Sequence, residues 1–205
     1  DLSYTVNYLE KDTNAVLAPA KNVNGQTYLS EVTENAIVIS GYDMVAPTSA
    51  TITIDVENNV INFYYTKRTD LSYTVNYLEK DTNTVLAPAK TVNEQTYLST
   101  VTENAIEISG YDKVAPTSET ITIQVEGNVI NFYYTKRTDL SYTVNYLEKD
   151  TTIPVRQSKT ENNQTYLDKV TEIAEDVQGY NKVAPTSVTI TINVEDNVIN
   201  FYYTK

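Results

Sequence analysis

From Leu2 to Glu10 apolar and polar positions alternate, with Leu2, Tyr4, Val6 and Tyr8 on one face and Ser3, Thr5 and Asn7 on the other. A period of two is the signature of a strand. Lys11-Asp12-Thr13-Asn14 supplies turn chemistry, and Val16 to Val23 reads as a second strand. Pro19 has no N–H to offer a neighbour, which places this strand at a sheet edge. Between Gln26 and Ile39 the alternation fails. Further along, TYLDKVTEIAEDV sets Leu167, Val170, Ala174 and Val177 at spacings of three, four and three, which predicts a short helix. Gly179, matched by Gly41 and Gly110, falls where a left-handed C-terminal cap would end it, and Tyr42 after that cap is expected in the core. Thr51 to Val56 and Val60 to Tyr65 are two alternating runs around Glu57-Asn58-Asn59, which predicts a hairpin. Ile52, Ile54, Val56, Ile61, Phe63 and Tyr65 would then form most of the core.

The same pattern occurs three times. DLSYTVNYLEKDT begins at Asp1, Asp70 and Asp139, a constant spacing of 69 residues. This predicts domains at 1–67, 70–136 and 139–205, joined by Lys67-Arg68-Thr69 and Lys136-Arg137-Thr138, linkers with little slack. The first two copies differ at nine places. Among them Val38/Glu107 and Met44/Lys113 exchange apolar for charged side chains, so these positions are expected at the surface. In the third copy Pro154 sits three positions earlier than Pro19 does, a displacement that an edge strand tolerates. Strand, strand, helix, strand, strand describes a small α+β domain, most economically a ubiquitin-like β-grasp with a mixed four-stranded sheet and one short helix. An all-β sandwich is the second arrangement that fits.

Composition narrows the function. Fifteen basic against 27 acidic side chains give a formal charge of −12, which disfavours nucleic acid and anionic lipid headgroups. With no Cys and no His there is no thiol nucleophile, imidazole base or disulfide, and two common zinc ligand types are missing. No cofactor, metal or catalytic constellation is indicated, and the chain reads as a non-enzymatic, monomeric fragment. Apolar runs are too short for membrane insertion.

YTVNYLEKDTN, a segment ending ISGYDMVAP and the closing NVINFYYTK together resemble the mucin-binding (MucBP) repeat of Gram-positive surface adhesins. The residues that carry the resemblance are Tyr4, Val6 and Tyr8, then Gly41-Tyr42, then Val60 to Tyr65, and their equivalents in the other copies. The resemblance implies β-grasp modules in an elongated array on a wall-anchored extracellular protein. It also implies either weak, multivalent binding of mucin or other host glycoprotein glycans, or a stalk that projects another adhesive domain.

Sugar recognition pairs an exposed aromatic ring with neighbouring amides or carboxylates. Tyr64 with Asn62 meets this description on the strand face opposite Phe63, as do Tyr133 with Asn131 and Tyr202 with Asn200. The alternative is that these side chains are structural aromatics on the back of the sheet or under the helix. Glu10 with Asp12 could contribute to a calcium site only with further oxygen ligands, and a solvated turn is the simpler reading. Lys11 and Asn62 are residue types that form internal isopeptide bonds in adhesin stalks.

Overall fold

The computed structural model describes all 205 residues, Asp1–Lys205. Every regular element is a strand. In the first repeat these are β1 (Leu2–Glu10), β2 (Val16–Gln26), β3 (Glu31–Asn35), β4 (Tyr42–Met44), β5 (Ser49–Thr53) and β6 (Val60–Lys67). The second repeat has β7 (Leu71–Glu79), β8 (Val85–Gln95), β9 (Thr100–Asn104), β10 (Tyr111–Lys113), β11 (Ser118–Thr122) and β12 (Val129–Lys136). The third has β13 (Leu140–Glu148), β14 (Pro154–Gln164), β15 (Lys169–Ile173), β16 (Asn181–Val183), β17 (Ser187–Thr191) and β18 (Val198–Thr204).

Each repeat combines a mixed four-stranded sheet with a two-stranded ribbon. In the first the sheet order is β2-β1-β6-β4 and the ribbon is β3-β5. β1 runs antiparallel to β2 and parallel to β6, while β4 runs antiparallel to β6. Strand β2 occupies an edge, as Pro19 requires, and β14 with Pro154 occupies the matching edge of the third repeat. The inner face of β1 and β6 presents Tyr4, Val6, Tyr8, Ile61, Phe63 and Tyr65, all buried, and Val32 and Ile52 of the ribbon pack against them. Two β layers thus enclose the core, and the α+β, β-grasp expectation is corrected to an all-β unit.

The expected helix is absent, and the reason is local. Leu167 takes a left-handed backbone, φ 67°, as do Leu29 and Leu98, which stops a helix before its first turn. Downstream, Val170 faces Ile190 and Glu172 faces Val188 across an antiparallel pair, so the three-four-three spacing masks an alternating strand. Gly179 and its equivalents have φ of 82° or 83° but end an extended loop rather than a helix.

The hairpin expectation also fails. β5 pairs with β3 in the ribbon, whereas β6 enters the large sheet between β1 and β4. Asn59 drives this crossing. Its Oδ1 accepts the Asp55 N–H at 2.7 Å, and its Nδ2 donates to the carbonyls of Asp55 at 2.8 Å and Ser3 at 3.1 Å. The loop is therefore bonded to β1 instead of closing on itself, and Ile54 beside it is fully buried. Asn128 and Asn197 repeat the arrangement.

One polar cluster ties the layers together in every repeat. Tyr4 of β1 donates to Glu34 of β3 at 2.5 Å, and Lys21 of β2 donates to the same Oε1 at 2.6 Å. Tyr73, Glu103 and Lys90, then Tyr142, Glu172 and Lys159, form the same triplet. Hydrogen bonds from Lys21 and then Tyr4 hold Glu34 below the usual carboxylate range. Burial together with the Glu172 bond pushes Tyr142 up to about 12.

The chain divides into two compact units. The first comprises Asp1–Val75, Ala89–Glu103 and Glu119–Ile130; the second comprises Asn76–Pro88, Asn104–Ser118 and Asn131–Lys205. The division falls inside the second repeat, so each three-residue linker and its flanking side chains belong to a single unit.

Candidate functional site

The face of β6 opposite the core carries Asn62 and Tyr64. Their placement follows from strand alternation, since Ile61, Phe63 and Tyr65 fill the core. Tyr64 is 36% exposed, and Tyr133 and Tyr202 are 36% and 38% exposed. Each of these side chains is therefore about one-third exposed on the outer face. The amides are less available. Asn7 Nδ2 donates to Asn62 Oδ1 at 2.8 Å, and Asn131 and Asn200 accept the same bond from Asn76 and Asn145. Tyrosine and asparagine do lie together on the outer face, but the asparagine carbonyl is taken by a neighbouring strand.

In the third repeat Tyr202 borders an open groove of about 760 Å³ with Lys149, Asp150, Ile153 and Val183. The loop from Thr152, where this copy departs from the others, shapes that groove. The carboxylate of Glu10 accepts the Thr13 hydroxyl at 2.6 Å and lies 3.7 Å from Lys67 Nζ. No group of three or more potential metal-ligating side chains occurs in the chain. Lys11 and Asn62 are not brought together: the Lys11 N–H bonds to the Tyr65 carbonyl, three residues beyond Asn62.

A more elaborate arrangement lies at the linkers. Within the first unit, Arg68 N–H donates to the Gly41 carbonyl at 3.0 Å, and Tyr97 N–H donates to the Arg68 carbonyl at 2.9 Å. These bonds lay the Tyr97 ring against Gly41, where an added Cβ would collide with it. Gly41 is buried beneath the ring, and the left-handed φ of 82° also favours glycine here. Tyr42 meets the same ring edge to face, with centroids 5.6 Å apart and planes at 79°. The Arg68 guanidinium grips Asp70 through two bonds of 2.9 and 2.8 Å and fixes the linker's exit.

The second unit reproduces every contact. Tyr166 lies on Gly110 and meets Tyr111 at 5.5 Å and 79°. Arg137 bonds the Gly110 carbonyl, Tyr166 bonds the Arg137 carbonyl, and Arg137 holds Asp139 by two bonds of 2.9 Å. Tyr42, expected in the core, instead divides its surface between the core and this clasp, and is half-buried. Sequence reasoning left Tyr28 and its equivalents without a role and assigned the glycines to a helix cap. The available signal was that Tyr28, Tyr97 and Tyr166 are identical while Ser30, Ser99 and Asp168 nearby are not.

Surface exchanges are accommodated as their residue types require. Val38 is 83% exposed and Met44 is 38% exposed. At these positions the second repeat forms a Lys113–Glu107 ion pair of 2.5 Å, and the third a Lys182–Asp176 pair of 2.8 Å.

Comparison with known proteins gives a partial match of the same kind over nearly the whole chain. Internalin J of Listeria monocytogenes serotype 4b (strain F2365) is 29% identical over 212 aligned residues, covering 98% of this chain. Internalin J of serovar 1/2a (strain ATCC BAA-679 / EGD-e) is 29% identical over 160 residues, covering 75%. The chain spans only 22% and 18% of the length of these relatives. It is thus a tandem-repeat region similar in sequence to a part of Internalin J. No family model matches it. Among solved structures, the Bacillus anthracis TIE protein aligns with 98% of this chain and 50% of its own at 14% identity and a TM-score of 0.41. The type 2 repeat of the mucus binding protein MUB from Lactobacillus reuteri aligns with 100% and 99% at 12% identity and a TM-score of 0.23. Similarities this slight carry no weight for the fold or the function.

Proposed function

We propose that this chain is a non-enzymatic spacer in a bacterial cell-surface protein, in which repeats 1–67, 70–136 and 139–205 act as successive modules that hold another region away from the cell. The observation that carries this reading is the clasp of Tyr97 on Gly41 and its duplicate at Tyr166 and Gly110. A ring seated on a neighbour's backbone, backed by two hydrogen bonds through the linker, opposes bending where a polar linker alone would allow it. The similarity to Internalin J supports a setting on the surface of a Gram-positive bacterium, and the extracellular, wall-anchored position is part of the proposal. The net charge of −12 suits a projecting, solvated segment.

A second reading is glycoprotein binding, favoured by the partly exposed side chains of Tyr64, Tyr133 and Tyr202. Three weak contacts on one chain would gain avidity that a single repeat lacks. Binding to immobilised mucin, with deglycosylated mucin as the control, separates the two. The spacer reading expects no binding above the control. Glycan-dependent binding that disappears in the Tyr64→Ala, Tyr133→Ala, Tyr202→Ala triple variant, with its circular dichroism unchanged, would replace it with the adhesive reading.

A further inference from the structure

The first and last strands of a repeat lie side by side in its sheet. In the first repeat β1 and β6 run parallel through six partner pairs, from Thr5 opposite Val60 to Glu10 opposite Tyr65. In the third, β13 and β18 pair in the same way, from Thr143 opposite Val198 to Glu148 opposite Tyr203. Backbone bonds close the ladder at both ends. Thr5 N–H donates to the Asn59 carbonyl at 2.9 Å and Lys11 N–H to the Tyr65 carbonyl at 2.8 Å, and Thr143 and Lys149 bond Asn197 and Tyr203 at the same distances. The asparagines of the outer face add a side-chain rung. Asn7 Nδ2 reaches Asn62 Oδ1 across the two strands at 2.8 Å, and Asn145 reaches Asn200 at 2.9 Å.

We infer that this parallel pair, with its asparagine rung, is a load-bearing element that makes its repeat resist tension applied along the chain. The reason is geometric. Tension enters a repeat at the N-terminal end of its first strand and leaves at the C-terminal end of its last, whatever adjoins the array. In a parallel pair these two points lie at opposite ends of the ladder, so the strands are pulled past one another and all six partner pairs share the load. An antiparallel pair would have both points at one end and would open one rung at a time. The sheet order β2-β1-β6-β4 sets the loaded pair in the middle, with β2 backing one strand and β4 the other. On the inner face Tyr4, Val6, Tyr8, Ile61, Phe63 and Tyr65 are buried, so water that would replace a strained hydrogen bond is kept from that side. Forced unfolding follows the barrier rather than the equilibrium stability, and sharing the load across the ladder raises that barrier. The inference rests on the spacer reading for the load itself, and adds that the spacer keeps its length under pull.

The test is single-molecule force spectroscopy on the full chain, which has no cysteine of its own, with handles attached at introduced cysteines. Ser3→Cys with Thr66→Cys grips the first repeat at opposite ends of the parallel pair, and Ser3→Cys with Val60→Cys grips it at one end. All three positions are exposed. At equal loading rate the first handles should give a rupture force several-fold above the second, since six partner pairs resist together in one case and in turn in the other. Ser141→Cys with Thr204→Cys, against Ser141→Cys with Val198→Cys, should reproduce the difference in the third repeat. Adding Asn62→Ala to the Ser3 and Thr66 handles should lower the force, because the side-chain rung is gone. Equal forces for the two handle pairs in either repeat, or a force that Asn62→Ala leaves unchanged, would overturn the inference and leave the spacer reading standing. Glycan-dependent mucin binding alongside a several-fold force difference would replace the spacer reading and leave the load-bearing pair intact.

Discussion

At the scale of single residues, the carboxylates that join the two layers govern the response to acid. Lys21 and Tyr4 lower the pKa of Glu34, and Lys90 and Tyr73 do the same for Glu103. At Glu172 burial acts in the opposite direction, but the bonds from Lys159 and Tyr142 outweigh it. A carboxyl held below its ordinary 4.5 binds fewer protons in the folded chain than in the unfolded one. Its contribution is whole above that value and is lost as the pH falls through the lowered folded value. The urea midpoint should therefore hold steady from neutrality to about pH 5 and decline below about 4.5. The Glu34→Gln, Glu103→Gln, Glu172→Gln variant should show a lower midpoint at pH 7 and a flatter acid limb. Equal acid limbs for the two proteins would place the sensitivity elsewhere.

At the scale of elements, the asparagine at each crossing loop decides the topology. Asn128 is 9% exposed, and its side chain accepts the Gln124 N–H at 2.8 Å and donates to the carbonyls of Gln124 and Ser72. Replacing it with Ala removes three part-buried hydrogen bonds, two within the crossing loop and one to Ser72 of β7, at a cost of roughly 1–3 kcal/mol. Urea titration should show this loss for Asn128→Ala, and Asn128→Asp should recover only part of it because the carboxylate accepts but cannot donate. The same residue shows why some of the fold was legible in the sequence and some was not. Strand β1 and the edge position of β2 follow from alternation and from Pro19, which act within a few residues. The partner of β6 depends on Asn59 reaching back to Ser3, 56 residues earlier, which no local pattern reveals. The spacing of Leu167, Val170, Ala174 and Val177 predicts a helix that does not form, because it matches a helical period by coincidence while the backbone at Leu167 turns left-handed. The outer-face position of Tyr64 was legible from alternation. The clasp was not, because it joins residues of different repeats through a backbone that the sequence presents only as glycine and linker.

At the scale of the whole molecule, the repeats are defined by sequence but the compact units are not, since each linker is embedded in contacts on both sides. The central claim is that the tyrosine clasp fixes each repeat on its neighbour. An edge-to-face aromatic pair contributes about 0.5–1.5 kcal/mol beyond its buried area. Together with the two linker hydrogen bonds, this is enough to favour one arrangement across the linker. The absence of cysteine allows clean spin labelling at Glu31→Cys and Thr100→Cys, exposed and equivalent positions within the first unit. The most direct measurement is the distance distribution between these labels by double electron–electron resonance, in the labelled chain and in the same chain with Tyr97→Ala. The account predicts a single narrow distribution that broadens when the ring is removed. A distribution already broad with Tyr97 in place, or one that Tyr97→Ala leaves unchanged, would contradict it.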